Sequence, residues 1–531
     1  MRSSSNPALV FAVIFVVIFV LHAPLLELPY FWDEAGYYAP AARDLLLGGS
    51  LIPHTTISNA HPPLVMAWIA LWWKSFGYAP VVARSAMLLV AAFSLLGVYR
   101  LAEYVANREV AIAATVCTGL YPVFFAQSSL AQVDLAAAGI TFWALTAFLK
   151  KRRISAAVWF SLAVLAKETA VIAILALTGW EILGTIVGRR PGLNALWQDS
   201  ETSARNLVPL SVPLLVLAAW YGFHYLRTGY VFGNPEFFSY NVQSTLNPLR
   251  FVLALGLRVW QVVGYLHLWL LTLGMALAML YPPLMDDGVE RQRIRIPVQM
   301  TFLAIIAGYV IAMALIGGAV LARYMLTAIP LVIIVAVSTL RRRARYWKVA
   351  IGVVAVAFVV GWFWNPPYGF SPEDNLAYRD YALLHEEAER FLEARYPMAH
   401  VLTAWPASDE LTSPWLGYTT RPLQVVRIED FSFEQVISAA EFRDHFEVAL
   451  LFSTKYEPRH PWGDAWPAWS RLKSRFFGFH RDLPAAAAAQ ILGGRVVFFK
   501  ERKGQWAAVI EMDRDQIQNA RLSSDSRLAC Q

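Results

Sequence analysis

Charged residues are sparse in this chain, and the few that interrupt its apolar runs are the ones whose types could do chemistry. Asp33-Glu34, beside Trp32, follows the first apolar run directly. Two adjacent carboxylates point in different directions in any regular structure, so one can take a proton while the other makes a second contact. A polar cap at a helix exit accounts for the same pair more plainly. His61 opens His-Pro-Pro-Leu, where two prolines fix the backbone ahead of a helical stretch. Its plain account is a solvated loop histidine. Asp134, in SSLAQVDLAAAG, stands at the mouth of a later apolar run, where an N-cap would explain it. Lys167-Glu168 interrupts another run, either as an ion pair within a helical hairpin or as a cation facing an anionic headgroup. Arg227 in YLRTGYVFGNPEFF and Arg323-Tyr324 in LARYMLTAIP complete the set. Ionisable groups at or within a bilayer are expensive, which makes each a functional hypothesis by default.

The elements that must position these residues are membrane spans. The 531 residues are 57% hydrophobic with mean hydropathy +0.45, and 16% are charged, against about 25% in soluble domains. Apolar runs long enough to cross a bilayer fall at 8–21, 81–98, 110–125, 133–149, 154–166, 169–186, 208–221, 259–280, 298–316, 324–340 and 347–364, about eleven spans. The first has no small-residue cleavage site after it, so it reads as an uncleaved helix and not as a signal peptide. The net charge of +7 does not point to nucleic acid, because the arginines lie in short clusters between apolar runs and form no single face. Cys117 and Cys530 supply neither a disulfide framework nor a metal motif.

With the N-terminus inside, the basic clusters all fall on the cytoplasmic side, as the positive-inside rule requires. They are Arg100 with Arg108, Lys150–Arg153, Gly188–Arg190, Arg291–Arg295 and Arg341–Arg345. Three segments are then outside: a loop at 26–80 with two interfacial helices, an aromatic and asparagine-rich loop at 223–250, and the tail from Asn365. The tail mixes helix-like YALLHEEAERFLEARY with strand-like EVALLFSTKY and GRVVFFKERKGQWAAVIEM, a pattern expected of a small α/β domain. PAAAAAQ reads as a local helix. The expected division is a membrane domain over 1–364 and an extracytoplasmic α/β domain over 365–531. Asp33, Asp134, Lys167 and Arg323 all fall on the outer side, where bases could activate an acceptor and cations could meet a departing phosphate.

The ordered motifs WDEAGYYAPAARDLL, HPPL, AQVDLAAAGITFWAL, LAVLAKETAVIAILAL, YLRTGYVFGNPEFF and RYMLTAIPL resemble the GT-C membrane glycosyltransferases. The nearest branch holds the bacterial aminoarabinose transferases and the dolichyl-phosphate-mannose protein mannosyltransferases. The resemblance runs from about 24 to 330. It implies inverting transfer of a sugar from a polyprenyl-phosphate carrier to a lipid, protein or polysaccharide acceptor, in a bacterial-type inner (plasma) membrane. It also implies a catalytic role for Asp33, phosphate contacts from Lys167 and Arg323, and substrate-lining positions at Glu34, His61, Asp134, Arg227 and Tyr324. His61 stands where the branch often has lysine, and Glu168 where it usually has glycine, so phosphate binding at His61 would depend on its protonation. The lipid phosphate brings its own activation, so no cofactor is expected. Asp33, Glu34, His61 and Asp134 are hard ligands that could gather a divalent metal, but the chain's own cations already serve the phosphate. Two rival expectations are a transporter or flippase for a lipid-linked or anionic solute, and a membrane scaffold whose working part is the tail. The paired broken helices of a transporter are not visible in the sequence.

Overall fold

The computed structural model describes residues 6–187, 204–235, 238–239, 242, 245–456, 458 and 466–513. The basic cluster at 188–190, part of the 223–250 loop and Cys530 lie outside the described residues. The chain forms two compact units, one of residues 1–26, 40–78 and 82–364, the other of 27–39, 79–81 and 365–531.

The first unit is an assembly of apolar helices. Those long and apolar enough to cross a membrane are Pro7–Leu25, Pro80–Val105, Glu168–Ile186, Leu207–Thr228, Pro248–Ala278 and Ile296–Leu315, joined by shorter apolar helices such as Asp134–Leu149 and Trp347–Phe363. Leu9, Val13, Val16 and Val20 stand exposed along the first of them, the face a bilayer would cover. The protein is a multi-pass membrane protein. The expected spans are helical, but several are divided. The run at 110–125 breaks into Arg108–Leu120 and Pro122–Gln127, because Pro122 lacks a donor and holds Tyr121 extended (ψ 126°). The run at 259–280 is split between Pro248–Val263 and Leu268–Ala278 by left-handed Leu266 and His267. The span expected from Tyr324 starts later, at Ile329, since Ala322–Met325 is a tight 3₁₀ turn.

Asn107 and Asn247 cap the helices that follow them, accepting from Val110 N at 3.1 Å and from Leu249 N at 3.0 Å. Gly139 lets the Asp134–Leu149 helix lie against Pro80–Val105: a Cβ there would meet Ser94 Oγ at 1.8 Å. The first loop contains two helices where two were expected, Ala39–Gly48 and Leu64–Phe76. A short hairpin pairs β1 (Met285–Asp286) with β2 (Val289–Glu290).

The second unit carries the sheet. Its strands are β3 (His400–Ala404), β4 (Gln424–Ile428), β5 (Val448–Phe452), β6 (Gly494–Arg502) and β7 (Gln505–Met512), in the order β4-β3-β5-β7-β6. The β4-β3-β5 half is parallel and the β5-β7-β6 half antiparallel, so the α/β reading holds. The fully buried Val-Ala-Leu-Leu-Phe of β5 is the centre. Lys503 and Gly504, both with positive φ, make the two-residue turn that folds the second strand-like run into the β6–β7 hairpin. The PAAAAAQ stretch is helical over Ala485–Leu492. Helix Ala377–Arg395 buries Tyr378, Tyr381, Leu384, His385, Ala388 and Leu392 along one stripe.

The division differs from the expected boundary at 364, because residues 27–39 of the first loop belong to this second unit. The backbone shows why. Tyr30 N donates to Leu416 O at 3.0 Å and Tyr418 Oη donates to Tyr30 O at 3.0 Å. Phe31 packs edge-on to Tyr381 at 5.1 Å, and Trp32 on Trp405 at 5.1 Å.

Candidate functional site

The acidic pair lies in the second unit at the start of a single π-turn, Glu34–Tyr38, in which Ala39 N donates back to Glu34 O. Such turns recur at functional sites. Glu34 is fully buried, and its Oε2 accepts from Phe31 N at 2.8 Å. It therefore braces the turn from within, while the neighbouring Asp33 is half-buried. Trp32 holds a left-handed backbone (φ 47°), which a packed surrounding must stabilise. The turn also sits tightly against its neighbour, since a Cβ on Gly36 would come within 2.6 Å of the Trp405 ring. The pair is thus divided into a structural glutamate and a more accessible aspartate.

In the membrane unit the structure gathers Asp134, Lys167, Arg323 and Tyr324. Asp134 is the first residue of its helix and caps nothing with its side chain, so the N-cap account fails. Its carboxylate instead accepts from Lys167 Nζ at 2.5 Å, with Arg323 Nε 3.4 Å from the other oxygen. All three are at most 6% exposed. Each is placed by a break in regular structure. Lys167 is extended (φ −156°, ψ 135°) where Arg153–Ala166 ends, and Arg323 lies in the Ala322–Met325 turn. Two cations share one carboxylate, so the trio has a surplus of one positive charge (two minus one). The Tyr324 ring lies 4.4 Å from Lys167 Nζ and 5.6 Å from the Arg323 guanidinium, and its electron-rich face tempers the repulsion between them.

Sequence reasoning missed two members. Arg258, fully buried, lies 5.5 Å from the same ring and donates to Gln261 Oε1, Met313 O and Leu321 O. Gln132, also buried, accepts from Arg323 Nη1 at 2.5 Å. The signal was present, since Arg258 falls within an apolar helix, but the span expected from 259 began one residue too late to include it.

His61 is half-buried, and its Nδ1 lies 3.0 Å from Glu168 Oε2. Glu168 is thus engaged by the histidine as well as standing beside Lys167. The segment before His61 is fastened to Leu207–Thr228: Trp220 Nε1 donates to Ala60 O at 2.8 Å and Ser58 Oγ lies 2.8 Å from His224 Nε2. Beside it is a cavity of about 420 Å³ lined by Thr55, Ser58, His224, Thr228, Tyr230 and Asn234. Arg227 is exposed and lies 5.6 Å from the Phe223 ring, and among the described residues it makes no contact with the Asp134 group. The four hard ligands considered for a metal do not share one unit: Asp33 and Glu34 belong to one, His61 and Asp134 to the other. Asp134 is moreover engaged by two cations.

These features resemble those of known proteins. Residues 60–197 match the family model described as dolichyl-phosphate-mannose-protein mannosyltransferase. A crystal structure of ArnT from Cupriavidus metallidurans bound to undecaprenyl phosphate aligns with TM-score 0.53 at 13% identity, over 94% of this chain and 97% of that one. Its apo form aligns with TM-score 0.53 at 14% identity, over 95% and 98%. The chain has the fold of a GT-C membrane glycosyltransferase. The residues matched by the family model include His61, Asp134, Lys167 and Glu168. No curated protein matches the chain in sequence. Neither the fold nor the family segment supports the transporter reading.

Proposed function

We propose that the chain transfers a hexosyl or pentosyl group from a polyprenyl-phosphate carrier to an acceptor hydroxyl or amine on the extracytoplasmic side of an inner membrane. The observation that carries this reading is the gathering of three buried cations, Lys167, Arg323 and Arg258, around Tyr324. A buried charge of this kind is matched to an anion, and a phosphate accepts from both ammonium and guanidinium. Asp134 aligns the two nearest cations and keeps their charge tolerable while the site is empty of lipid.

An apolar groove of about 360 Å³ lies between the helices that carry Asp134 and lead to Lys167, and Phe11, Leu64, Trp68, Phe93, Ile140 and Trp159 line it. We assign it to the isoprenoid chain, whose burial is driven by removal of apolar surface from water. In the reaction the bond from the sugar's anomeric carbon to the phosphate oxygen breaks, and the electron pair leaves with polyprenyl phosphate. The acceptor atom forms the new bond at the opposite face, and its proton passes to Asp33. The cations meet the charge that develops on the leaving oxygen, and a placed base contributes about 10²- to 10⁴-fold. No step calls for a metal or organic cofactor. The family name of the 60–197 segment and the undecaprenyl phosphate held by ArnT support the choice of carrier.

The test is to supply purified full-length protein with a polyprenyl-phosphate sugar and candidate acceptors, comparing wild type with Asp33→Asn. Release of polyprenyl phosphate that disappears in the variant is the expected result. Unchanged release in the variant, or none from wild type with any donor, overturns the proposal.

A further inference from the structure

The second unit holds a buried group that the sugar chemistry does not use. His385 and Glu389 lie one turn apart on the inner stripe of helix Ala377–Arg395, and Glu410 comes from the short helix Ala407–Thr412. All three are at most 1% exposed. His385 Nδ1 is 2.7 Å from Glu410 Oε2 and 3.7 Å from Glu389 Oε1, and one donor atom from each residue lies within 4.8 Å of the others. Neither carboxylate pairs with a lysine or arginine among the described residues. Oε1 of Glu410 and Nε2 of His385 are buried without a hydrogen-bond partner, and both oxygens of Glu389 are buried with no donor beside them, only the Glu410 carboxyl within hydrogen-bonding reach. The surroundings are aromatic: Tyr381 stacks on the imidazole at 3.9 Å and Phe452 lies 4.4 Å away. Tyr381 also buries a hydroxyl that has no partner, within electrostatic reach of Glu410 and Glu389.

Two carboxylates and one imidazole leave at least one negative charge uncompensated when both acids are ionised, in a place where water cannot reach them. Such a group is strongly destabilising unless a cation or a proton completes it. A single imidazole nitrogen with carboxylate oxygens is the ligand chemistry of zinc and its transition-metal neighbours, and unlike the all-oxygen sets of calcium and magnesium. Metal–donor bonds of about 2.0–2.2 Å place ligand atoms some 3–3.6 Å apart. The 2.7 Å and 3.7 Å separations bracket that range, so shifts of about 1 Å or less would suffice.

We propose that His385, Glu389 and Glu410 form a structural binding site for one divalent transition-type cation such as Zn²⁺. The ion joins the helix at 377–395 to the segment following β3. It also fixes Tyr381, against which Phe31 and Trp32 pack at 5.1 and 5.6 Å. The residues immediately before Asp33 therefore rest on the wall of the site. The site stands whether or not the chain transfers a sugar.

The test uses full-length protein in detergent, stripped with a chelator and then titrated with Zn²⁺ alone while bound metal is counted. One Zn²⁺ per chain and a higher thermal midpoint on reloading are expected for wild type. His385→Ala and the near-isosteric Glu389→Gln should each weaken Zn²⁺ binding by about 100-fold or more, since even groups one shell further out change affinity 10- to 100-fold. Reloading with Co²⁺ should give a visible absorption band that Glu389→Gln abolishes. Wild-type protein that takes up no Zn²⁺, or uptake unchanged in a folded Glu389→Gln variant, overturns the site and leaves a buried group completed by a proton.

Discussion

Replacing Lys167 with methionine separates the charge at the cationic cluster from its packing. In the wild type two cations share Asp134, at 2.5 Å and 3.4 Å. Lys167→Met keeps an unbranched chain of similar length and leaves Asp134 and Arg323 as a neutral pair. No charge is stranded, so the loss of stability should stay well below the roughly 3–5 kcal/mol expected when a buried charge loses its only partner. The donor phosphate, in contrast, loses one charge-assisted hydrogen bond, worth about 1.5–3 kcal/mol, or some 10- to 150-fold in affinity. Asp134→Asn does the reverse. It leaves both cations buried without their shared anion, so it should approach the 3–5 kcal/mol penalty in stability. The assay is release of polyprenyl phosphate as a function of donor concentration, with thermal midpoints measured alongside on the same preparations. Lys167→Met should raise the KM for donor with little change in midpoint, and Asp134→Asn should lower the midpoint first. A folded Lys167→Met protein whose donor KM moves less than about threefold would refute the reasoning and make the trio a structural ion cluster.

Two further perturbations probe the second unit. Gly36→Ala drives a methyl into the Trp405 ring, so the unit should lose about 1–3 kcal/mol and transfer should fall, since the displaced turn carries Asp33; an unchanged midpoint and rate would show that the turn yields freely. Burial tends to raise the Glu393 carboxyl, but hydrogen bonds from the Thr420 hydroxyl and from the backbone of Thr420 and Arg421, with the Arg421 charge, hold it below the usual carboxylate range. A depressed carboxyl stabilises above its unfolded value of about 4.5, and that contribution is lost as pH falls through the lower folded value. The midpoint advantage of wild type over Glu393→Gln, followed by tryptophan fluorescence, should therefore be full at pH 7 and shrink below about pH 4.5; a gap that stays constant into acid would contradict it.

Much of the membrane unit could be read from the sequence, because hydropathy registers what a bilayer demands of a helix and each expected span is helical. Breaks within spans were harder to see. Pro122 is a visible breaker, yet the kink at Leu266 and His267 depends on backbone angles that no proline announces. Asp134, Lys167 and Arg323 stand out as charges in apolar surroundings, but what joins them is contact between residues 33 and 189 apart in order (134 to 167, and 134 to 323). Arg258 escapes notice because the apolar run read as a span starts one residue after it, at 259, whereas the helix begins at Pro248. The helix-like YALLHEEAERFLEARY is part of the helix Ala377–Arg395, but nothing in its run of charges marks His385 and Glu389 as buried. Glu410 carries no spacing signal toward them, because it arrives by way of β3 and a turn. Strands β3 and β4 are not legible in the sequence: each has five residues and, unlike β5, neither is an unbroken apolar run.

The grouping of residues 27–39 with the sheet has a consequence for how such a chain can be taken apart. The gene order suggests a natural cut after Trp364, but that cut would remove Leu416, Tyr381 and Trp405, the partners of Tyr30, Phe31 and Trp32. A chain shortened there would keep Asp33 in sequence and lose what shapes its turn. The same holds for exchange between relatives. A tail grafted from a protein of the same fold would bring a surface evolved against a different first loop, so a working hybrid must move the short N-terminal stretch together with the tail. The part that travels as one inheritable piece is therefore discontinuous, with its two ends separated by most of the membrane helices.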